Sequence, residues 1–386
     1  MISKKIAIIV GIVLFVLSAT GSYLFFNQQI QKAISLSQYK TTTPDDTSKL
    51  PLDSGPKTEA CPVNGALYSK AQRQVWEARR PLGVMIENHT DARPQSGLSS
   101  SDVLYEAVAE GGITRFLAIF YCQDAKPIGP IRSARIYFLE TLQEYGKYPL
   151  YSHVGGANSP GPADALGEIR QLGWDQYNDL NQFGVPFPYY YRDYERLPNV
   201  ATEHTMYSST GKLWEFAKKN RKLTNVDDKG KAWNTGFTPW KFQDDAKAEE
   251  RGNVGKISFG FWERFPDFNV VWQYNKESNS YKRVNGGKPH MDKDTGKQLT
   301  AKNIVVVLAK ESVANDGYEK GQHLLYEIIG TGNGYLFQNG NAAKITWKKK
   351  DPETRMRFYD QTGKEMSFVR GQIFVEITPK DNTVTY

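Results

Sequence analysis

Sulfur and imidazole are scarce in this chain, which has two cysteines and five histidines in 386 residues. Cys61 and Cys122 are far apart and lack Cys-x-x-Cys spacing, which removes the zinc-ribbon and thioredoxin-like classes. No His-Glu-x-x-His, no Gly-x-Ser-x-Gly and no Gly-Lys-Ser/Thr phosphate loop occurs. The signatures of zinc proteases, α/β-hydrolases and P-loop nucleotide-binding proteins are therefore missing. Neither charge sign dominates: 49 Lys and Arg against 42 Asp and Glu leave a net +7. The densest basic run, Lys348-Lys349-Lys350, is followed at once by Asp351 and Glu353, so no nucleic-acid stripe is present.

Long apolar runs are also missing, with one exception. Ile6 to Phe26 carries no charge, follows Lys4 and Lys5, and matches the roughly 20 residues that span a bilayer as a helix. The expectation is a cytoplasmic tail (1–5), a single-pass signal anchor (6–26), and everything beyond it outside the cell membrane. No cysteine precedes Cys61 to take a lipid. Residues 27–62, rich in Thr, Ser, Pro and Asp toward their end, read as a juxtamembrane segment and flexible linker. In an exterior compartment Cys61 and Cys122 form either a disulfide or two unrelated buried thiols.

The remaining chain reads as α+β. Residues 63–224 mix both element types in a layered α/β domain. Strands are expected over 81–88, 102–110, 114–121 and 149–154. Helices are expected from Ser133 (as N-cap), over 162–172 and over 211–221. Residues 225–252 form a connector. Residues 253–386 read as a mainly antiparallel β domain, with hairpins at Asn339-Gly340 and at Gln361-Thr362-Gly363. Aromatic residues make up 13%, including 22 Tyr, chiefly as core.

The polar residues that carry chemistry lie in the first of these domains. Arg132 and Arg135 flank an expected helix start, where the backbone dipole already disfavours cations. An anion between them, either an internal carboxylate such as Glu106 or Glu110 or a ligand, resolves the conflict. Glu106 and Glu110 sit four apart on one strand, roughly 13 Å, too far for a glycosidase pair. Glu110, Glu87 and His153 are the candidate catalytic groups. Arg115, Arg132, Arg135, Asn88, Gly155, Gly156 and His204 are the candidate ligand-binding groups. His153 precedes a Gly-rich loop suited to an oxyanion. Neither His153 nor His204 has metal-ligand spacing, so neither a metal nor a cofactor is expected.

These same residues carry a resemblance. Arg80-Pro-Leu-Gly-Val-Met-Ile-Glu-Asn88, Ala92-Arg-Pro-Gln-Ser-Gly-Leu98, Tyr105-Glu106, Glu110-Gly-Gly-Ile-Thr-Arg-Phe116 and Pro127-Ile-Gly-Pro-Ile-Arg-Ser-Ala-Arg135 resemble the YerB-like family. Phe337-Gln-Asn-Gly340, Trp347, Arg357-Phe-Tyr-Asp360, Gly363 and Gly371-Gln372 continue the likeness, which covers residues 65–386. It implies a bacterial membrane-attached extracytoplasmic protein, often a lipoprotein, built from two domains without assigned chemistry. The chain departs from the family in carrying Glu203-His204-Thr205 where Pro-His-Asn is usual, and in having an apolar run instead of a lipidated cysteine. The expected function is a binding module for a cell-wall component, an anionic polymer or an envelope protein. The alternatives are a wall hydrolase or lyase using Glu110, and a non-catalytic scaffold.

Overall fold

A computed structural model describes residues 55–318 and 323–386, together with Ser18, Thr20 and Ser22. After a short hairpin of Glu59–Ala60 and Leu67–Tyr68, three runs of β-branched, leucine-rich and aromatic residues form β1 (Leu82–Glu87), β2 (Val103–Glu110) and β3 (Ile113–Phe120). All six residues of β1 and the first seven of β2 are buried, the pattern of strands covered on both faces. Gly111 and Gly112 adopt positive φ at the β2–β3 turn, which an L side chain resists. Helix α1 (Ile136–Leu142) leads to β4 (Leu150–His153), and α2 (Ala165–Gln171) to the short β5 (Asp179–Asn181). Asp164 caps α2, and Ser209 caps α3 (Thr210–Arg221).

A small antiparallel sheet follows, with β6 (Lys256–Phe259), β7 (Val270–Asn275) and β8 (Ser280–Asn285) at its centre. The long strands β9 (Asn303–Val313), β10 (Gly330–Gln338) and β11 (Asn341–Lys349) come next, then β12 (Arg357–Tyr359) and β13 (Ile373–Pro379). Asn339 and Gly340, both at positive φ, join β10 to β11 in the hairpin that this dipeptide predicts.

The expected architecture needs correcting in two respects. Among the described residues, no helix is long and apolar enough to cross a membrane. The anticipated span at 6–26 lies outside the described residues except for helical Ser18, Thr20 and Ser22. Further, the chain does not build an α/β layer followed by a separate antiparallel sheet. It is mostly strand with few helices. Its main sheet runs β12-β11-β10-β9-β13-β2-β3-β1-β4-β5, with Leu324–Glu327 added beside β9. The C-terminal β13 lies parallel to both β9 and β2, so residues 303–379 and 82–120 share one sheet. All these strands belong to the compact unit Ser48–Tyr386, which is distinct from Met1–Thr47.

Two local expectations also shift. Helix α1 begins at Ile136, with Arg135 in place of Ser133 at its N-cap. The chain turns back at Gln361-Thr362-Gly363 as expected, joined by Asp360 N to Lys364 O and Met366 N to Phe358 O, but Ser367–Val369 then pairs in parallel with Lys241–Gln243. Cys61 and Cys122 form a fully buried disulfide.

The β2–β13 register places Glu106 directly beside Glu376. Both are fully buried, and Arg283 of β8 bonds to Glu106 and stands 3.7 Å from Glu376. Burial, in spite of Arg283, and then the Glu106 charge push the Glu376 carboxyl well above its ordinary 4.5. The folded protein thus keeps a proton that the unfolded chain releases above 4.5. The resulting contribution to stability is full below that value and is lost as pH rises toward the folded-state pKa. Glu376→Gln mimics the protonated form. It is expected to flatten the alkaline decline of the unfolding midpoint, and a slope equal to wild type in thermal scans across pH would disprove this assignment.

Candidate functional site

The ends of β1, β4 and β5 point the same way, because β4 runs parallel to both β1 and β5. The carboxyl ends of parallel strands are where open sheets present ligand-binding groups. The segment 128–134 enters between β1 and β4. Its backbone bonds to Glu87 N from Pro130 O (2.9 Å), to Met85 O from Arg132 N (2.9 Å) and to Val154 N from Arg132 O (3.0 Å). This fixes Arg132 beside the last residue of β1.

Glu87 is 3% exposed. Its Oε1 lies 3.2 Å from Arg132 Nε, and its Oε2 lies 2.7 Å from His204 Nδ1. The hydrogen bond that His204 donates to the Glu87 carboxylate raises its pKa above the usual imidazole value. His204 ends a 3₁₀ turn (Thr202–His204), and its ring stacks on His89 with centroids 5.0 Å apart and planes 16° apart. His89 caps a second 3₁₀ turn (Thr90–Ala92), accepting from Asp91 N at 3.2 Å. Arg132 keeps 23% side-chain exposure, and its two terminal nitrogens form no hydrogen bond with the described residues.

Glu110 forms a second cluster. Arg135 reaches its Oε2 at 2.5 Å and Arg115 its Oε1 at 3.3 Å. Burial alone would raise this carboxyl, but Arg135, Arg115 and Arg132 outweigh it and hold it at about 2. A group ionised down to that value cannot serve as a general acid near neutrality and is a weak base. Arg115 also donates to Ser133 O (3.1 Å) and Arg135 to Ala134 O (2.8 Å), so both guanidiniums are committed internally.

The other candidates are structural in their contacts. Asn88 is fully buried. It donates to Glu106 (3.0 Å), Thr114 (2.7 Å) and Asn285 (3.1 Å) and accepts from Arg93 (3.0 Å) and Gln95 (2.9 Å). Both ring nitrogens of His153 meet oxygen acceptors, Gly155 O at 2.7 Å and Asp179 Oδ1 at 2.6 Å. Neither is left for a substrate proton. The Gly155 amide is held by Asn181 Oδ1 at 3.1 Å, and its carbonyl also accepts from Ala134 N at 2.9 Å. A Cβ on Gly156 would stand 2.9 Å from the Leu166 side chain, so close packing explains this glycine. A cleft of about 550 Å3 lined by Arg73, Trp76, Tyr121 and Trp233 includes none of the candidate residues. Of the predicted set, Glu87, Arg132 and His204 converge. Glu110, Arg115 and Arg135 form the adjoining ion triad. Asn88, His153 and the glycines hold the frame. His89 and Asp91 were missed, although they directly follow Glu87-Asn88 in the sequence.

Residues 69–224 match the family described as "Protein of unknown function (DUF3048) N-terminal domain", and residues 261–375 match its C-terminal domain. The Bacillus subtilis (strain 168) protein named "Putative lipoprotein YerB" is 33% identical over 344 residues, covering 89% of this chain and 90% of the relative. This chain belongs to the YerB-like family. The crystal structure of the YerB protein from Bacillus subtilis superimposes with a TM-score of 0.66 at 28% identity, covering 85% of this chain and all of the other. In this YerB-like chain the family-like motifs divide by contact. Asn88, Gln95 and Glu106 serve the buried network, while Glu87 joins Arg132 to His204.

Proposed function

We propose that this chain is a membrane-attached extracytoplasmic binding protein that recognises an anionic group of a cell-envelope polymer at Arg132 and His204. The supporting observation is the state of Arg132. Arg115 and Arg135 are consumed by Glu110, whereas the terminal nitrogens of Arg132 stand partly exposed beside an imidazole that Glu87 biases toward its charged form. A planar guanidinium with two open donors suits a carboxylate or phosphate. The relative's name, a lipoprotein, supports membrane attachment outside the cytoplasm. The hydrolase alternative loses support with Glu110 held ionised at about 2.

The test is retention of the purified full-length chain on isolated cell wall, with its thermal midpoint recorded in parallel. Arg132→Ala is expected to weaken retention by roughly ten- to hundredfold, the worth of a charge-assisted hydrogen bond, while leaving the midpoint nearly unchanged. Undiminished retention in Arg132→Ala, or wall fragments released by the wild type, would refute the reading.

A further inference from the structure

We propose that His89, Asp91 and His204 form a binding site for a divalent transition metal of the zinc type, with Glu87 as the residue that orients His204. One ligand atom from each of the three lies within 4.8 Å of the other two. Ligands around a tetrahedral zinc, at bond lengths of about 2.0–2.2 Å, stand about 3.4 Å apart. The residues are therefore gathered to within about 1.5 Å of a coordination shell, and the two outer ones can move. His89 has 31% side-chain exposure and Asp91 59%, against 7% for His204. Turning the half-buried His89 ring out of its stack, with loss of its bond from Asp91 N, lets its lone pair converge on an ion held by His204.

The fixed member is built as metal-ligating histidines are built. His204 Nδ1 bonds the Glu87 carboxylate at 2.7 Å, which leaves Nε2 as the coordinating atom. A carboxylate behind the imidazole fixes its orientation and raises its basicity, and such partners are regular companions of zinc-bound histidine. Glu87 is itself held at the other oxygen by Arg132 at 3.2 Å. The turn that carries His89 and Asp91 is anchored on both sides by buried Asn88 and Ala92.

The histidine inventory points the same way. His153 and His290 use both ring nitrogens inside the fold, and His323 bonds Asp316. His89 and His204 are instead the pair whose rings stack on each other. Two imidazoles and one carboxylate favour zinc, cobalt or nickel over magnesium and calcium, which prefer all-oxygen shells. Three protein ligands would leave a fourth position of a tetrahedral shell for water.

The site shares His204 with the proposed anion site, and an ion there would displace the proton on Nε2, so the test uses the metal alone. Full-length protein stripped with a chelator is titrated calorimetrically with zinc chloride, and separately with magnesium chloride. One equivalent of zinc and no magnesium should bind. His89→Ala and Asp91→Asn change exposed side chains and should leave the fold intact, lowering zinc affinity at least tenfold. Glu87→Gln should lower it roughly 10–100-fold, as loss of an orienting carboxylate does elsewhere. Absence of zinc binding by the wild type, or an affinity unchanged in His89→Ala, overturns the proposal. Wall retention that persists in chelator while zinc fails to bind would overturn the metal site and leave the anion reading standing.

Discussion

Arg283→Met is expected to destabilise the protein by about 3–5 kcal/mol, the cost of removing one partner from a buried ion pair. Arg283 is fully buried with Glu106 and Glu376 on one side and His290 Nδ1, at 2.8 Å, on the other. Trp272 Nε1 bonds Glu376 Oε1 at 3.2 Å, and Asn88 and Thr114 bond Glu106 Oε1 at 3.0 and 2.6 Å. Without the guanidinium, the Glu106 carboxylate keeps neutral donors and only the Arg93 charge beyond Asn88. The network also joins β2, β8 and β13, which lie far apart in the sequence. Removing both carboxyls along with the cation, in Arg283→Met with Glu106→Gln and Glu376→Gln, should recover most of the loss, because the amides need no countercharge. Denaturant midpoints at constant slope would measure both effects. A loss below about 1 kcal/mol for Arg283→Met would show that Arg283 contributes little to stability.

The elements legible in the sequence are those whose signals are local. Buried runs gave β1 and β3, alternation gave β2, and the positive-φ preference of Asn339-Gly340 gave the β10–β11 hairpin. The position of β13 was not legible. A strand buried on both faces carries no mark of its partners, so Ile373–Pro379 could be recognised as a strand but not as the link between β9 and β2. The turn at Gln361-Thr362-Gly363 was legible, but not the parallel partner that Ser367–Val369 finds in Lys241–Gln243.

The site was legible in part. Tension between Arg132, Arg135 and a helix start correctly implied a nearby anion, and that anion is the internal Glu110 for Arg115 and Arg135. Sequence could not separate these from Arg132, since a few ångströms decide which guanidinium reaches the carboxylate. Asn88 and His153 look like site residues because polar side chains at strand ends often are. Here Glu106 and Asp179 satisfy them from within. His89 and Asp91 carried one usable signal, the His-x-Asp spacing after Glu87-Asn88. Its meaning depended on His204 arriving from more than a hundred residues away.

Glu144→Gln is expected to cost a similar 3–5 kcal/mol, through the opposite imbalance. Glu144 is 2% exposed, and its carboxylate receives Lys349 Nζ at 2.9 Å, Arg355 at 3.0 Å, Met356 N at 3.0 Å and Tyr105 Oη at 2.9 Å. Burial would raise this carboxyl, yet Lys349 and Arg355 hold it below its ordinary range. Glutamine offers one acceptor oxygen in place of two and turns an NH2 toward donors, leaving two buried cations uncompensated. Arg355 retains its stacking on Trp240 and Tyr145, at 3.6 and 4.2 Å, and Lys349 retains the Pro352 and Thr354 carbonyls. These residual contacts set the loss within that range rather than above it. Because Glu144 follows α1 while Lys349 and Arg355 flank the turn after β11, the variant should loosen that junction first. Hydrogen exchange would then rise around 136–145 and 347–357 ahead of the β1–β3 core. Adding Lys349→Met to Glu144→Gln should cost less than the sum of the two single changes, since one buried cation leaves with its partner. Strict additivity, or a loss below about 1 kcal/mol for Glu144→Gln, would show that the buried charges are compensated by neighbouring dipoles and that Glu144 is dispensable.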